Sequence, residues 1–222
     1  MTFSRANPSP RYQYLLAQYR SLHVDGEKRM GMPPERVFPG AHLFPQLHRI
    51  KQLIDLAGAR TILDYGCGKG KQYDPVTRPV AGLGIGDTVM DFWDIDNVHC
   101  YDPCFQPFSA LPEGRFDGVI STDVLEHCPE EDMPWIVAEL FGYAKRFAFA
   151  NVACYPAAKH LPDGENAHCT IRDVEWWKAL FTSVAAKYPA LRWSVWIQFR
   201  EYIADPDSNI SETQIGNTTL VP

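Results

Sequence analysis

The stretch TILDYGCGKG, residues 61–70, decides the fold. Thr61 to Tyr65 is a short apolar run that carries one acid, Asp64, and it stops in three glycines at alternate positions, Gly66, Gly68 and Gly70. Such a run, bounded by turn residues, predicts a strand buried in a parallel sheet. The glycines strip side chains from the turn that follows. A bulky ligand could then approach the backbone, and a carboxylate or phosphate could sit against exposed N–H groups. Two common nucleotide turns fit poorly. The dinucleotide fingerprint Gly-x-Gly-x-x-Gly meets Lys71 at its sixth position. The P-loop pattern, counted from Gly66 or Gly68, meets Lys71 or Tyr73 where its second glycine belongs. An acid two residues before the first glycine, inside an apolar strand, favours a ligand site over a plain tight turn.

Outward from this turn the chain alternates strands and helices. Upstream, residues 11–24 place Tyr12, Leu15, Leu16, Tyr19 and Leu22 at helical spacing, and Leu43 to Leu56 mark a second amphipathic helix ended near Gly58. Downstream, residues 98–103, 116–122, 146–156 and 191–202 read as strands. Helical stripes run from Ile136 to Ala144 and from Val174 to Ala185. This alternation predicts an α/β fold with a mainly parallel sheet. Residues 1–57 form an N-terminal helical cap, 58–204 the ligand-binding domain, and 205–222 a polar tail expected to be extended or poorly ordered.

LDYGCGKG (63–70) resembles motif I of the class I S-adenosylmethionine-dependent methyltransferases. CYDP (100–103) resembles the end of that superfamily's second strand, and FDGVISTDVLEH (116–127) its fourth-strand segment, in the same order. The resemblance spans about residues 40–185 and implies a Rossmann-like methyltransferase fold. It implies that Asp64 orients the cofactor's ammonium group, and that Gly66, Cys67, Gly68 and Gly70 make room for the methionine and ribose portions. Asp102 would accept hydrogen bonds from the ribose hydroxyls, since an ionised carboxylate accepts and never donates. Pro103, Thr122 and Asp123 complete the implied cofactor site. Asp87 competes with Asp102, because it lies nearer the usual spacing from Asp64; Asp102 is preferred because it ends a cleaner strand, which makes residues 72–97 an insertion. The segment between Asp102 and Asp117 is too short for a full helix and third strand, so the fold is expected to be abbreviated there. The adenine pocket then draws on Pro103, Cys104, Phe108, Ser109 and Leu111.

Asp123, Glu126 and His127 would share one face of a helix starting near Asp123. His168 follows a later strand and can face the same crevice. Three roles stay open for this cluster: shaping the cofactor pocket, general-base catalysis by His127 or His168 with Glu126, or a divalent metal site (Mg²⁺ or Mn²⁺) of Asp123, Glu126, His127 and His168. The cluster resembles the metal site of small-RNA 3′-end 2′-O-methyltransferases and the acidic-His motif of ubiquinone-pathway O-methyltransferases, with Asp123 replacing their Glu. Lys159, His160, Asn166 and His168 are candidates for touching an acceptor.

The expected reaction is methyl transfer from S-adenosylmethionine to a small-molecule acceptor, through a hydroxyl. The alternatives are a metal-assisted 2′-O-methyltransferase acting on an RNA terminus, a non-catalytic cofactor-binding partner subunit, and a nicotinamide dehydrogenase. Among 222 residues, 21 Lys and Arg face 27 Asp and Glu, a net charge of −6. That balance argues mildly against a nucleic-acid partner, although a local basic patch is compatible with it. No run approaches a membrane span. Residues 1–11 show no signal-peptide core, and the six cysteines form no Cys-x-x-Cys pair, so reduced thiols in a cytoplasm are expected.

Overall fold

Strands whose successive side chains feed opposite faces build the sheet. In the computed structural model, which describes residues 3–200 and 208–221, the elements run α1 (Pro10–Asp25), α2 (Leu47–Ala57), β1 (Thr61–Tyr65), α3 (Val89–Trp93), β2 (Asn97–Tyr101), β3 (Phe116–Thr122), α4 (Met133–Tyr143), β4 (Ala144–Ala153), α5 (Val174–Ala185), β5 (Arg192–Arg200) and β6 (Ile210–Gly216). One six-stranded sheet has the order β2-β1-β3-β4-β5-β6. Its first five strands are parallel, and β6 is antiparallel to β5. Between β2 and β3 the described chain has only a 3-10 turn, Gln106–Phe108, as the short spacing predicted.

Alternation along β1 sends Leu63 and Tyr65 to one face and Ile62 to the other. On the first face they join Val119, Ala148 and Val195 against α4 and α5. On the second, Ile62, Ile120, Phe147 and Phe149 meet Leu47, Ile50, Leu53 and Ile54 of α2. Because both faces are covered, the middles of the central strands are mainly apolar, with Asp64 of β1 a buried exception. α2 therefore belongs to the sheet's own layers. The part of the expected cap that lies elsewhere is α1, which forms a third cluster through Leu15, Tyr19 and Leu22 with Val37, Leu161 and Ala167.

Local chemistry sets the ends of α1. The Ser9 hydroxyl accepts from the Tyr12 N–H, Pro10 takes the first helical position, and Gly26 (φ 80°) closes the helix on Leu22 O. Ser9 is itself held by the buried Asp132 carboxylate, which accepts from the Ser9 N–H at 3.0 Å and from its hydroxyl.

Of the two outcomes expected for the tail, its described part takes the extended one. Residues 210–216 form an ordered edge strand, and Leu220 is buried against the second core. The polar sequence hid this because β6 buries only Ile215 against the first core, while Leu220, past the strand, is buried in the second. The boundary placed after residue 204 lies outside the described residues, as do residues 201–202 of the predicted last strand.

Candidate functional site

Sheet order reverses between β1 and β3. In open α/β sheets the crevice at the carboxyl ends of such strands is where ligands bind. The glycine turn leaves β1 on one side of it, and Asp123 leaves β3 on the other. α1 and the 34–46 segment lie across the top. A cavity of about 840 Å³, open to solvent, is enclosed between them. Tyr12, Leu15, Tyr19, Phe38 and His42 line it from above; Gly66, Cys67, Gly68, Gln72, Asp102, Thr122, Asp123 and His127 line it from below.

The glycines are needed, but for a different reason from the one expected. Gly66, Gly68 and Gly70 have φ of 91°, 59° and 68°, a region that disfavours other residues. A methyl on Gly66 would stand 2.5 Å from Val124, one on Gly68 2.3 Å from Phe38 O, and one on Gly70 2.8 Å from the Phe108 ring. The space they leave is thus filled by this chain. The turn's N–H groups are also spent: Gly66 and Cys67 donate to Tyr101 O, Gly68 to Asp102 Oδ2, Lys69 to Phe38 O and Gly70 to Cys67 O. No nest remains for an anion. A 3-10 turn, Lys71–Tyr73, follows in place of a full helix, so the turn is tied to β2 and to the cap instead.

Asp102 sits where the sequence placed it, just past β2, 9% exposed and on the cavity. It accepts from Gly68 N at 3.0 Å and Cys104 N at 2.8 Å. Burial, against those bonds, raises its carboxyl to about 6. Asp64 is sealed one layer deeper and does not line the cavity. Its Oδ2 accepts from Gln72 Nε2 at 2.9 Å and Tyr73 OH at 2.8 Å, while its buried Oδ1 has no partner. Burial raises it, too, to about 6. Gln72 stands between Asp64 and the cavity, and its own buried Oε1 lacks a partner. Asp64 can therefore act on a ligand through Gln72, which the sequence reading did not name.

Of the adenine candidates, Pro103 and Cys104 line the cavity. Phe108 packs on Gly70, Ser109 donates to Gln106 O, and Leu111 is exposed. The rival Asp87 accepts from Gly84 N in a turn that does not line the cavity.

The acid–histidine cluster forms, with a changed membership. Instead of a helix from Asp123, the chain turns at Asp123 (φ 60°) and makes a 3-10 turn, Leu125–His127. Asp123, His127 and His168 each offer one ligating atom, and these lie within 4.8 Å of one another. Glu126 is outside that group: its Oε1 accepts from Ala153 N at 2.7 Å and it is fully buried. Burial and then repulsion from Asp123 raise it well above the usual carboxylate range.

Both imidazoles are oriented by carbonyls. His127 Nδ1 lies 2.8 Å from Ala167 O and His168 Nδ1 2.6 Å from Tyr155 O. A carbonyl only accepts, so each Nδ1 carries the hydrogen and each Nε2 keeps its lone pair. This backbone-anchored arrangement is the one metal-ligating histidines use. Burial and then His168 push His127 down to about 3, and burial lowers His168. Both shifts favour the neutral imidazole. Asp123 is held low, because His42, His127 and His168 together outweigh its burial.

No family model, no curated protein and no solved structure matches this chain. Function rests on what the cavity's own atoms can bind.

The 158–168 loop reaches the site through His168, and its other polar residues support that ring. Asn166 Oδ1 accepts from Ala157 N and His168 N, and its amide donates to Ala157 O, so its polar atoms are spent placing His168. Lys159 stands over the Phe38 ring at 5.4 Å, and His160 makes a backbone bridge to Asn166. Trp176 and Trp177 open α5, with Trp177 fully buried. His23, Phe38, His42 and Gln72 carry no motif. His23 lies in α1 but is not one of the apolar residues that mark its stripe, and the irregular segments of Phe38, His42 and Gln72 gave no period from which to place them. Among the described residues, no helix is long and apolar enough to cross a membrane, and the six cysteines are free.

Proposed function

We propose that this chain is an S-adenosylmethionine-dependent methyltransferase that transfers the methyl group to a hydroxyl of a small acceptor, assisted by a divalent ion. One observation carries the reading. The cavity at the switch point is lined by two carboxylates, Asp102 and Asp123, and by Gln72, with no lysine or arginine in its described lining. Such a lining suits a ligand that brings positive charge and hydroxyl donors. It opposes a pyrophosphate, which calls for cations or free N–H groups. That disfavours a nicotinamide dinucleotide, and it favours a small acceptor over an RNA end.

When bound, S-adenosylmethionine would supply an electrophilic methyl on a cationic sulfur, and a divalent ion would supply a Lewis acid that lowers the pKa of an acceptor hydroxyl. Asp102 has lone pairs left to accept from vicinal hydroxyls, and Gln72 Oε1 to accept from an ammonium group. Asp123 with His127 and His168 would hold the ion. His127, at about 3, is mismatched to general-base work near neutral pH, so its geometry supports the ligand role. Glu126, fully buried with Oε1 on Ala153 N, ties the turn that carries Asp123 and His127 to the end of β4. α1 excludes water by laying Tyr12, Leu15 and Tyr19 over the cavity.

The test is transfer of labelled methyl from the cofactor to extracted small metabolites, with and without chelator. Chelator-sensitive transfer supports the proposal. Cofactor binding without transfer would point to a partner subunit, and nicotinamide binding in its place would end the methyltransferase reading.

A further inference from the structure

We propose that His42, carried by the cap, is a fourth ligand of the Asp123–His127–His168 site, and that it turns the site's preference from Mg²⁺ to a borderline ion such as Zn²⁺ or Co²⁺. The inference rests on the reading of those three residues as a metal site.

His42 lies on a 3-10 turn, Ala41–Gln46, entered through Gly40 (φ 92°) and pinned by the fully buried Leu43. Its ring lines the cavity, and its Nε2 stands 3.4 Å from Asp123 Oδ2. That is long for an N–H···O hydrogen bond, roughly 2.7–3.2 Å. It is the separation of two ligands of one tetrahedral ion, roughly 3.3–3.5 Å for bonds of about 2.0–2.1 Å. Glu126, which the motif placed in the set, gives Oε1 to Ala153 N and lies outside the group of ligating atoms. Three sheet-borne groups then remain within 4.8 Å of one another; His42, beside Asp123 but outside that group, would swing in to make four.

The donor count decides the metal. Three imidazoles and one carboxylate suit borderline ions, whereas Mg²⁺ takes an oxygen shell with several waters. The ligands also come from different layers. Asp123 and His127 follow β3, and His168 lies in the loop before α5. His42 belongs to the N-terminal segment above the cavity, so one ion would fasten that segment to the sheet.

The experiment titrates Co²⁺ into the intact, metal-stripped chain and follows visible absorption. His42→Ala and His42→Gln are run beside it, with the exposed His48→Ala as a control. The intact chain and His48→Ala should show the intense bands of four-coordinate Co²⁺. Both His42 variants should bind roughly 10- to 100-fold more weakly, with the weak spectrum of a water-filled shell. Because the His42 side chain is 60% exposed, both should unfold at the wild-type midpoint when metal-free. Unchanged affinity and spectrum in both variants would remove His42 from the site while leaving the three-residue site standing. No Co²⁺ uptake by the intact chain would overturn both.

Discussion

Asp64 and Asp102 hold carboxylates that burial penalises, and neither has a cation in contact. For Asp64 the folded carboxyl is raised to about 6 from an ordinary 3.8. Above about pH 6 the folded chain holds a charge it would rather shed. Below about pH 4 both states are protonated and the penalty is gone. Asp64→Asn keeps an oxygen for Gln72 and Tyr73, so it should stabilise the chain by on the order of 2 kcal/mol near pH 7.5 and by nothing near pH 4. Urea midpoints at the two pH values check this, and a variant less stable at neutral pH would contradict it. A residue kept at such a cost points to function. His127→Ala and His168→Ala should abolish chelator-sensitive turnover while changing cofactor affinity little. Equal losses in both would return these rings to pocket-shaping. Asp102 and the two histidines were legible because each closes a strand or a motif. Gln72 and His42 were not, because a lone polar residue in an irregular segment carries no period or spacing.

At the scale of elements, short apolar runs announced all five parallel strands, and 3.6-residue stripes announced α1, α2, α4 and α5. What failed was one-sided or local. β6 was missed because it is an edge strand, and the helix expected at Asp123 gave way to a left-handed turn. The edge still contributes stability: Leu220, 4% exposed, packs beneath α2 and β5. Leu220→Ala should cost roughly 2–5 kcal/mol by urea unfolding, because the cavity left by a buried leucine relaxes only in part. A loss below about 0.5 kcal/mol, the range of neutral surface substitutions, would show that the tail is not part of the core. The 34–40 segment rests on the glycine turn, so Gly68→Ala, 2.3 Å from Phe38 O, should free it. Faster amide exchange across residues 34–40 is the expected readout.

Over the whole molecule, the cap and the sheet share one cavity, and neither encloses it alone. α1 is pinned at its start by Ser9 on Asp132 and along its length by Arg11 on Glu165 and Tyr14 on Asp163, so it reaches both α4's approach and the 158–168 loop. A ligand that binds between these layers should raise the unfolding free energy by about 2.7 kcal/mol at a hundredfold excess over Kd, and S-adenosylhomocysteine should do so where a nicotinamide dinucleotide does not. The measurement that bears most directly on the account is calorimetric titration of S-adenosylhomocysteine into the intact chain and into Asp102→Asn. The account predicts saturable binding that the substitution weakens roughly 10- to 100-fold, the loss of a charge-assisted pair of hydrogen bonds. Absence of binding, or equal affinity in both proteins, would contradict it.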